Sequence, residues 1–244
     1  MDLRGKRALI TGGALRVGKT IALALAKEGC AIALHYGRSE REAETAQREL
    51  RALGADCVLY QADLSRSGET LALGRAVLRH AKGCQILVNN ASIFPRVPLE
   101  RSHPRDFDLP YSVNLRAPAL LTQVIGLELM RRKRSGRIVN IADSESRTAR
   151  PEAFGYSLSK AGLLQLTRLS ASALAPWVLV NSISPGTVLL PTLPNAAQLR
   201  SSKERSLLKR VGNPEEIAAA VLLALRSDFM TGADLLVDGG RALV

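Results

Sequence analysis

Tyr156 and Lys160 stand four residues apart in Tyr-Ser-Leu-Ser-Lys, a spacing that sets both on one face of a helix. A phenol with an ordinary pKa near 10 is a poor acid or base at neutral pH, and a neighbouring ammonium lowers that pKa by favouring the phenolate. The pair therefore has the makings of a proton donor or relay, although the same spacing is far commoner on solvated helix faces. A second cluster lies near the N-terminus. There Thr11-Gly12-Gly13-Ala14-Leu15-Arg16-Val17-Gly18 joins a short apolar run to a segment of helical period. Glycines at such a turn let backbone amides approach a pyrophosphate at the helix N-terminus, and a plain strand-to-helix turn can use them too.

The end of the second apolar run decides between those two uses. An NAD site carries Asp or Glu there, about 20 residues beyond the glycine loop, to bind the ribose 2′-hydroxyl. This chain reads His35-Tyr36-Gly37-Arg38-Ser39. No acid is present, and the Arg38 guanidinium and Ser39 hydroxyl suit a 2′-phosphate, which points to NADPH. His35 alone reads as a strand residue. Gln61-Ala62-Asp63-Leu64 closes the third run, where Asp63 is placed to accept from an adenine amino group, and Asn89-Asn90-Ala91 closes the fourth.

The elements that would hold these residues alternate in type. Strand-like runs are expected at Arg7–Thr11, Ala31–Tyr36, Cys57–Gln61, Ile86–Asn89, Arg137–Ile141, Val178–Ile183 and Leu235–Val237. Helical periods separate them at Val17–Glu28, Glu40–Leu53, Glu69–His80, Val113–Arg132, Tyr156–Ala175 and Pro214–Leu225. Gly54 is a good helix stop, Pro176 ends the Tyr156 helix, and Asn213-Pro214 is a cap followed by an N1 proline. Such alternation builds βαβ units and a parallel sheet covered on both faces, with the ligand at the carboxyl ends of the strands. No linker or composition shift divides the chain, so an α/β, doubly wound, Rossmann-like single domain is expected over residues 1–244.

Composition narrows the class. Of 244 residues, 46% are hydrophobic and 23% charged, which excludes disordered and fibrous chains. The net charge of +12 would suit nucleic acid, yet the basic residues are scattered and aromatics make up only 4%, too few for a base-stacking platform. The dense run Arg131-Arg132-Lys133-Arg134 is expected to lie solvated at a helix C-terminus. The apolar stretch from Leu169 to Leu199 is broken by four prolines, so no membrane helix is expected. Cys30, Cys57 and Cys84 lie 27 residues apart with no C-x-x-C, which fits a reducing cytoplasm and argues against zinc or a disulfide framework; no metal is expected. No signal peptide is visible at the N-terminus.

Taken in order, the Thr-Gly loop, Asp63, Asn89-Asn90-Ala91, Asn114, Tyr156-x-x-x-Lys160 and Ser184-Pro185-Gly186 resemble the short-chain dehydrogenase/reductase family over essentially the whole chain. The resemblance implies a seven-stranded parallel sheet and a homotetramer. It also implies roles: Tyr156 as proton donor or relay, Lys160 to tune it and bind the nicotinamide ribose, and Asn114 to hold a relay water. The cofactor residues so implied are Gly12, Arg16, Val17, Gly18, His35, Tyr36, Arg38, Ser39, Asp63, Leu64, Asn90, Ala91, Lys160, Pro185, Gly186 and Val188. The family places a serine 13 residues before the tyrosine, where this chain has Asp143. Aspartate there, Arg16 in place of the loop's second glycine, and Ser92 and Phe94 in Asn-Ala-Ser-Ile-Phe are similar to the pteridine reductase branch, which includes dihydromonapterin reductase-like enzymes.

On that resemblance Arg16, Ser92, Phe94, Asp143 and Tyr156 contact a flat substrate ring, which stacks on Phe94. The expected activity is NADPH-dependent reduction of a dihydropterin-type substrate, in which Asp143 supplies or relays a proton to nitrogen or simply caps the turn after its strand. The alternative is a reductase of 3-oxoacyl thioesters or other carbonyls, and a Rossmann-type binding protein without catalysis is a third, disfavoured by Asn114, Tyr156 and Lys160. The segment near 187–212 is expected to shape the substrate site, with Thr187 and Leu189 near the cofactor carboxamide.

Overall fold

A computed structural model describes residues 1–80, 83–148, 150–188 and 196–243. Seven parallel strands form one sheet in the order β3-β2-β1-β4-β5-β6-β7: β1 Arg7–Ile10, β2 Ala31–Tyr36, β3 Cys57–Gln61, β4 Ile86–Asn89, β5 Gly136–Ile141, β6 Val178–Pro185 and β7 Asp234–Val237. The long helices are α1 Arg16–Lys27, α2 Glu40–Ala52, α3 Ser67–Arg79, α5 Ala117–Arg131, α6 Phe154–Leu174 and α8 Pro214–Arg226. Shorter α4 covers Pro104–Pro110 and α7 Ala196–Glu204. β1, β2, β4 and β5 are buried along their whole length, as strands covered on both faces must be. Two apolar layers result: one centres on Ile10, Ile21, Leu34 and Val221, the other on Leu9, Leu87, Leu121 and Val180.

Local chemistry explains the ends. Gly54 has φ +81°, the left-handed conformation that stops α2. Asn213 Oδ1 accepts the Glu216 N–H while the Glu216 carboxylate accepts the Asn213 N–H, a reciprocal cap at the head of α8. The run after α5 is solvated as expected, with Arg131 and Arg132 both paired to Glu128.

Two features depart from the sequence reading. The expected Val113–Arg132 helix begins earlier and is irregular: α4 leads into a π-helical stretch, Tyr111–Arg116, before α5. Proline explains it, because Pro118 has no N–H to donate to the Asn114 carbonyl four residues back, and the Ala117 N–H reaches Ser112 O, five residues back. The polar helix α7 also had no counterpart among the expected elements; its apolar period is weak.

The order of the sheet places the site. Strand connections reverse direction between β1 and β4, so a crevice opens beyond their carboxyl ends. The glycine loop leaves β1, Asn90 follows β4, Asp143 follows β5 and Pro185 ends β6. All arrive at one edge of the sheet.

Candidate active site

Two clefts meet along that edge. One, of about 710 Å³, is lined by Gly12, Arg16, Val17, Gly18, His35, Arg38, Asp63, Leu64, Asn90, Ala91 and Ser92. The other, of about 790 Å³, is lined by Phe94, Asp143, Tyr156, Pro185, Gly186, Thr187 and Val188. Arg16 and Val17 line both and form the join. Tyr36, Ser39, Lys160 and Asn114 line neither: Tyr36 is buried in the core, Ser39 sits at the head of α2, and Lys160 and Asn114 are buried behind the second cleft. Leu189 lies outside the described residues, as do the rest of 189–195 from the segment expected to shape the substrate site.

The first cleft is built on close backbone approach. A side chain at Gly18 would put Cβ 2.2 Å from the Gly12 carbonyl oxygen and 2.5 Å from Asn90 Nδ2, so only glycine fits. Asn90 Nδ2 donates to Thr11 O (2.9 Å) and Gly12 O (3.1 Å), while Thr11 Oγ1 accepts the N–H groups of Asn90 and Ala91. The end of β4 thus clamps the loop after β1. His35 completes the clamp: Nδ1 accepts the Gly12 N–H and Nε2–H donates to Ala62 O, both at 3.1 Å, which fixes the neutral Nε2–H tautomer. Burial lowers its pKa to about 4. His35 braces the loop from beneath, a part that its place in the sequence did not disclose.

Arg16 has φ +53°. It retains the left-handed backbone of the glycine it replaces, at a cost of about 1–2 kcal/mol, and its exposed side chain stands between the clefts. At the far end Arg38 is exposed on the cleft wall. Asp63 Oδ1 accepts from the Ser65 hydroxyl (2.7 Å) and N–H (2.9 Å), and these bonds, with Arg66 and Arg38 nearby, hold its carboxyl below the usual range. The cleft fits a nicotinamide dinucleotide by these tests: a backbone cradle that a Cβ at Gly18 would fill, a helix head with no acid in its first turn, and an exposed guanidinium, Arg38, at its far end.

The second cleft is built on charge. Tyr156 Oη donates to Asp143 Oδ2 at 2.5 Å, and Asp143 Oδ1 accepts the Glu145 N–H at 2.8 Å. Asp143 therefore caps the turn with one oxygen, as one of its two expected roles has it, and accepts the phenol's hydrogen bond with the other. The expected effect of Lys160 on Tyr156 is corrected. The phenol's pKa is raised, by burial and then by the Asp143 carboxylate and its hydrogen bond, because a negative neighbour disfavours the phenolate. The Lys160 ammonium is instead held on the Ile141 carbonyl at 2.7 Å, 6.0 Å from the Tyr156 ring centre, and burial lowers its pKa to about 8. Asn114, in the π-helical stretch, is fully buried. Its Nδ2 donates to Ile93 O and Ser159 Oγ, and its Oδ1 accepts the Ile93 N–H, which ties the loop carrying Phe94 to α6.

Phe94 packs edge-on against Tyr156 with ring centres 4.5 Å apart, and the guanidiniums of Arg150 and Arg96 lie 4.9 and 5.3 Å from its centre. Behind it, Glu145 pairs with Arg150 (2.8 Å) and Arg241 (2.9 Å), and Arg241 also donates to Thr187 Oγ1. The sequence reading missed Glu145, Arg150 and Arg241; no spacing signal links Glu145 to Arg241, 96 residues on.

A doubly wound sheet with a phosphate cradle at its switch point and a Tyr-Lys helix beside it defines a dinucleotide-dependent oxidoreductase. The comparisons with known proteins specify which. The family described as enoyl-(acyl carrier protein) reductase matches residues 13–242, and the chain belongs to the short-chain dehydrogenase/reductase family. It is 30% identical to the L-rhamnose 1-dehydrogenase (NADP(+)) of Thermoplasma acidophilum, over 100% of this chain and 98% of that one. It is 31% identical to a 3-oxoacyl-[acyl-carrier-protein] reductase of Synechocystis sp., over 99% and 98%. A solved structure of the promiscuous reductase LugOII, which catalyses keto-reduction at C1 during lugdunomycin biosynthesis, superposes with a TM-score of 0.89 at 30% identity, covering both chains in full.

Proposed function

We propose that the protein is an NADPH-dependent reductase that acts on a C=N bond of a dihydropterin-type ring. The observation that carries this reading is the 2.5 Å bond from Tyr156 to Asp143, an acidic partner where the family's pattern has serine. Reduction of C=N needs a hydride at carbon and a proton at nitrogen, and NADPH supplies the hydride when bound. The Tyr156 phenol, kept protonated by burial and by Asp143, holds a proton at the cleft wall. Lys160, held on the Ile141 carbonyl with its pKa lowered to about 8, is the ammonium nearest the phenol, and it recharges Tyr156 only through an intervening hydroxyl or water. Asp143 also accepts from ring N–H or amino donors, which a serine does only in weaker, neutral form.

In this reading the backbone from Gly12 to Gly18 holds the pyrophosphate and Arg38 the 2′-phosphate, and Ser39, outside the cleft lining, contributes only through the head of α2. Asp63 and Leu64 hold the adenine, Asn90, Ala91 and Lys160 the nicotinamide ribose, and Pro185, Gly186 and Val188 the nicotinamide end. Arg16, Ser92 and Phe94 place the substrate ring. The protein works as a single domain, 1–244, in a homotetramer; Leu127 of α5 and Leu158 and Leu169 of α6 are exposed apolar residues that such an assembly would cover. A cytoplasmic location suits the three buried free cysteines, and no helix among the described residues is long and apolar enough to cross a membrane.

A second reading, a reductase of 3-oxoacyl thioesters or other carbonyls, is favoured by the relatives' names. None of the three reported above is named for a pterin, and all act on sugar, thioester or keto groups. NADPH oxidation with a dihydropterin against an acetoacetyl thioester separates the two, and Asp143→Ser sharpens the separation. Under the pterin reading the substitution cuts pterin turnover on the order of 10²–10⁴-fold, the range of a positioned acid, and spares or raises carbonyl turnover. Turnover of the thioester alone gives the site to the second reading. Turnover of neither returns the chain to binding without catalysis.

A further inference from the structure

Five arginines, Arg16, Arg96, Arg150, Arg205 and Arg241, line the second cleft against two acids, Asp143 and Glu145. Apart from Arg16, at the join with the cofactor cleft, they fall into two sets. Arg150 and Arg241 have side chains only 9% and 7% exposed and are neutralised on Glu145, with Glu152 a further partner of Arg150. They belong to the wall. Arg96 and Arg205 are exposed, and among the described residues neither pairs with a carboxylate at ion-pair distance. Arg96 stands over Phe94 from the loop after β4, and Arg205 reaches the same cleft from the end of α7. Arg205 is close enough to Glu152 to help hold that carboxyl below its usual range, with Glu152's own backbone bond and Arg150 contributing more. Residues 189–195, between these elements in sequence, contain no acid to offset the excess.

We propose that Arg96 and Arg205 form an anion subsite at the mouth of this cleft, and that the substrate carries a carboxylate or phosphate tail beyond its reacting ring or carbonyl. The inference rests on the reading of this cleft as the substrate site, but not on which bond is reduced there. A guanidinium is a planar fork suited to both anions, and two of them lining one cleft from separate elements favour a charged tail. The reacting end then lies at Tyr156, past Phe94, and the tail remains at the solvent edge. Arg16 is kept out of the subsite because it also lines the cofactor cleft.

The test compares substrates that share a reacting group and carry an anionic tail in one member and a shorter neutral tail in the other, with salt and the substitutions below isolating the part of the difference that is charge. Dihydrofolate and dihydrobiopterin form one pair; acetoacetyl-coenzyme A and the acetoacetyl thioester of N-acetylcysteamine form the other. At low ionic strength the anionic member should have the higher kcat/KM, through KM, by roughly tenfold, the sum of two partly solvated ion pairs. Arg96→Gln with Arg205→Gln should bring the ratio close to one. So should 1 M salt, where the Debye length shrinks to about 3 Å. A ratio near one in the unsubstituted protein, or a ratio that survives both substitutions, overturns the subsite. Turnover of the thioester pair alone overturns the pterin reading, and the subsite is then judged by that pair's own ratio. If neither pair is turned over, calorimetric titration of folate and biopterin into the protein with NADP⁺ reads the same preference. Equal binding, or none, overturns it.

Discussion

The two clefts share Arg16 and Val17 and little else in the way they are held. The cofactor cleft is fixed by neutral hydrogen bonds, nearly all to backbone: Asn90 to Thr11 and Gly12, Thr11 to Asn90 and Ala91, His35 between Gly12 and Ala62. The substrate cleft is fixed by ions, with Glu145 between Arg150 and Arg241 and Asp143 on Tyr156. A buried neutral network has one arrangement in which every group is satisfied, so it rigidly presents backbone amides to a ligand that never varies. The wall pairs of Arg150 and Arg241 are nearly buried and costly to break, so the response to a ligand's own charge is left to the exposed Arg96 and Arg205. The contrast suits a fixed dinucleotide on one side and a substrate recognised by charge on the other.

Substitution at Tyr156 should break the substrate side alone. Tyr156→Phe removes the phenol proton while keeping the ring contact with Phe94, and turnover should fall on the order of 10²–10⁴-fold with either class of substrate. Stopped-flow measurement of hydride transfer gives that number, and NADPH fluorescence titration shows whether the loss stays on the substrate side. Tighter coupling of the clefts than proposed here would appear as a parallel loss of NADPH affinity.

The neutral side has one titratable weak point, His35. Its pKa is about 4 in the folded protein and near 6.5 in the unfolded chain, so between those values the unfolded chain takes up a proton that the folded one refuses. Stability from this group is full above about pH 6.5 and is lost as pH falls toward 4, by about 3 kcal/mol for a single shifted histidine. Urea midpoints measured from pH 7 to 4.5 should show the fall, and His35→Gln should flatten it. An equal slope in that variant would place the sensitivity among the carboxylates instead.

The smallest effect is expected at Arg38, which is exposed. Arg38→Ala should reduce the preference for NADPH over NADH roughly tenfold, as loss of one solvated charge-assisted contact to a phosphate. Comparison of kcat/KM for the two cofactors checks it. No preference in the unsubstituted protein would remove the 2′-phosphate assignment altogether.

Much of this molecule was legible from short stretches of chain. Alternating apolar runs and helical periods gave the parallel sheet, Gly54 and Asn213-Pro214 gave helix ends, and the Tyr156–Lys160 spacing gave one face of α6. These are matters of backbone geometry and of neighbours within a few residues, which a sequence states directly. The irregular turn at Asn114 was also written there, in Pro118, but its signal is a missing donor rather than a pattern. What only the tertiary structure decided depends on distance and burial. Glu145 meets Arg241 across 96 residues of sequence, and no local rule joins them. The sign of the Tyr156 shift was reversed for the same reason. Spacing along the helix brings Lys160 near in sequence, yet the folded chain holds its ammonium on Ile141 O and places the Asp143 carboxylate against the phenol. A pKa is set by which charge is closest in a buried medium, and that is a property of the packed molecule.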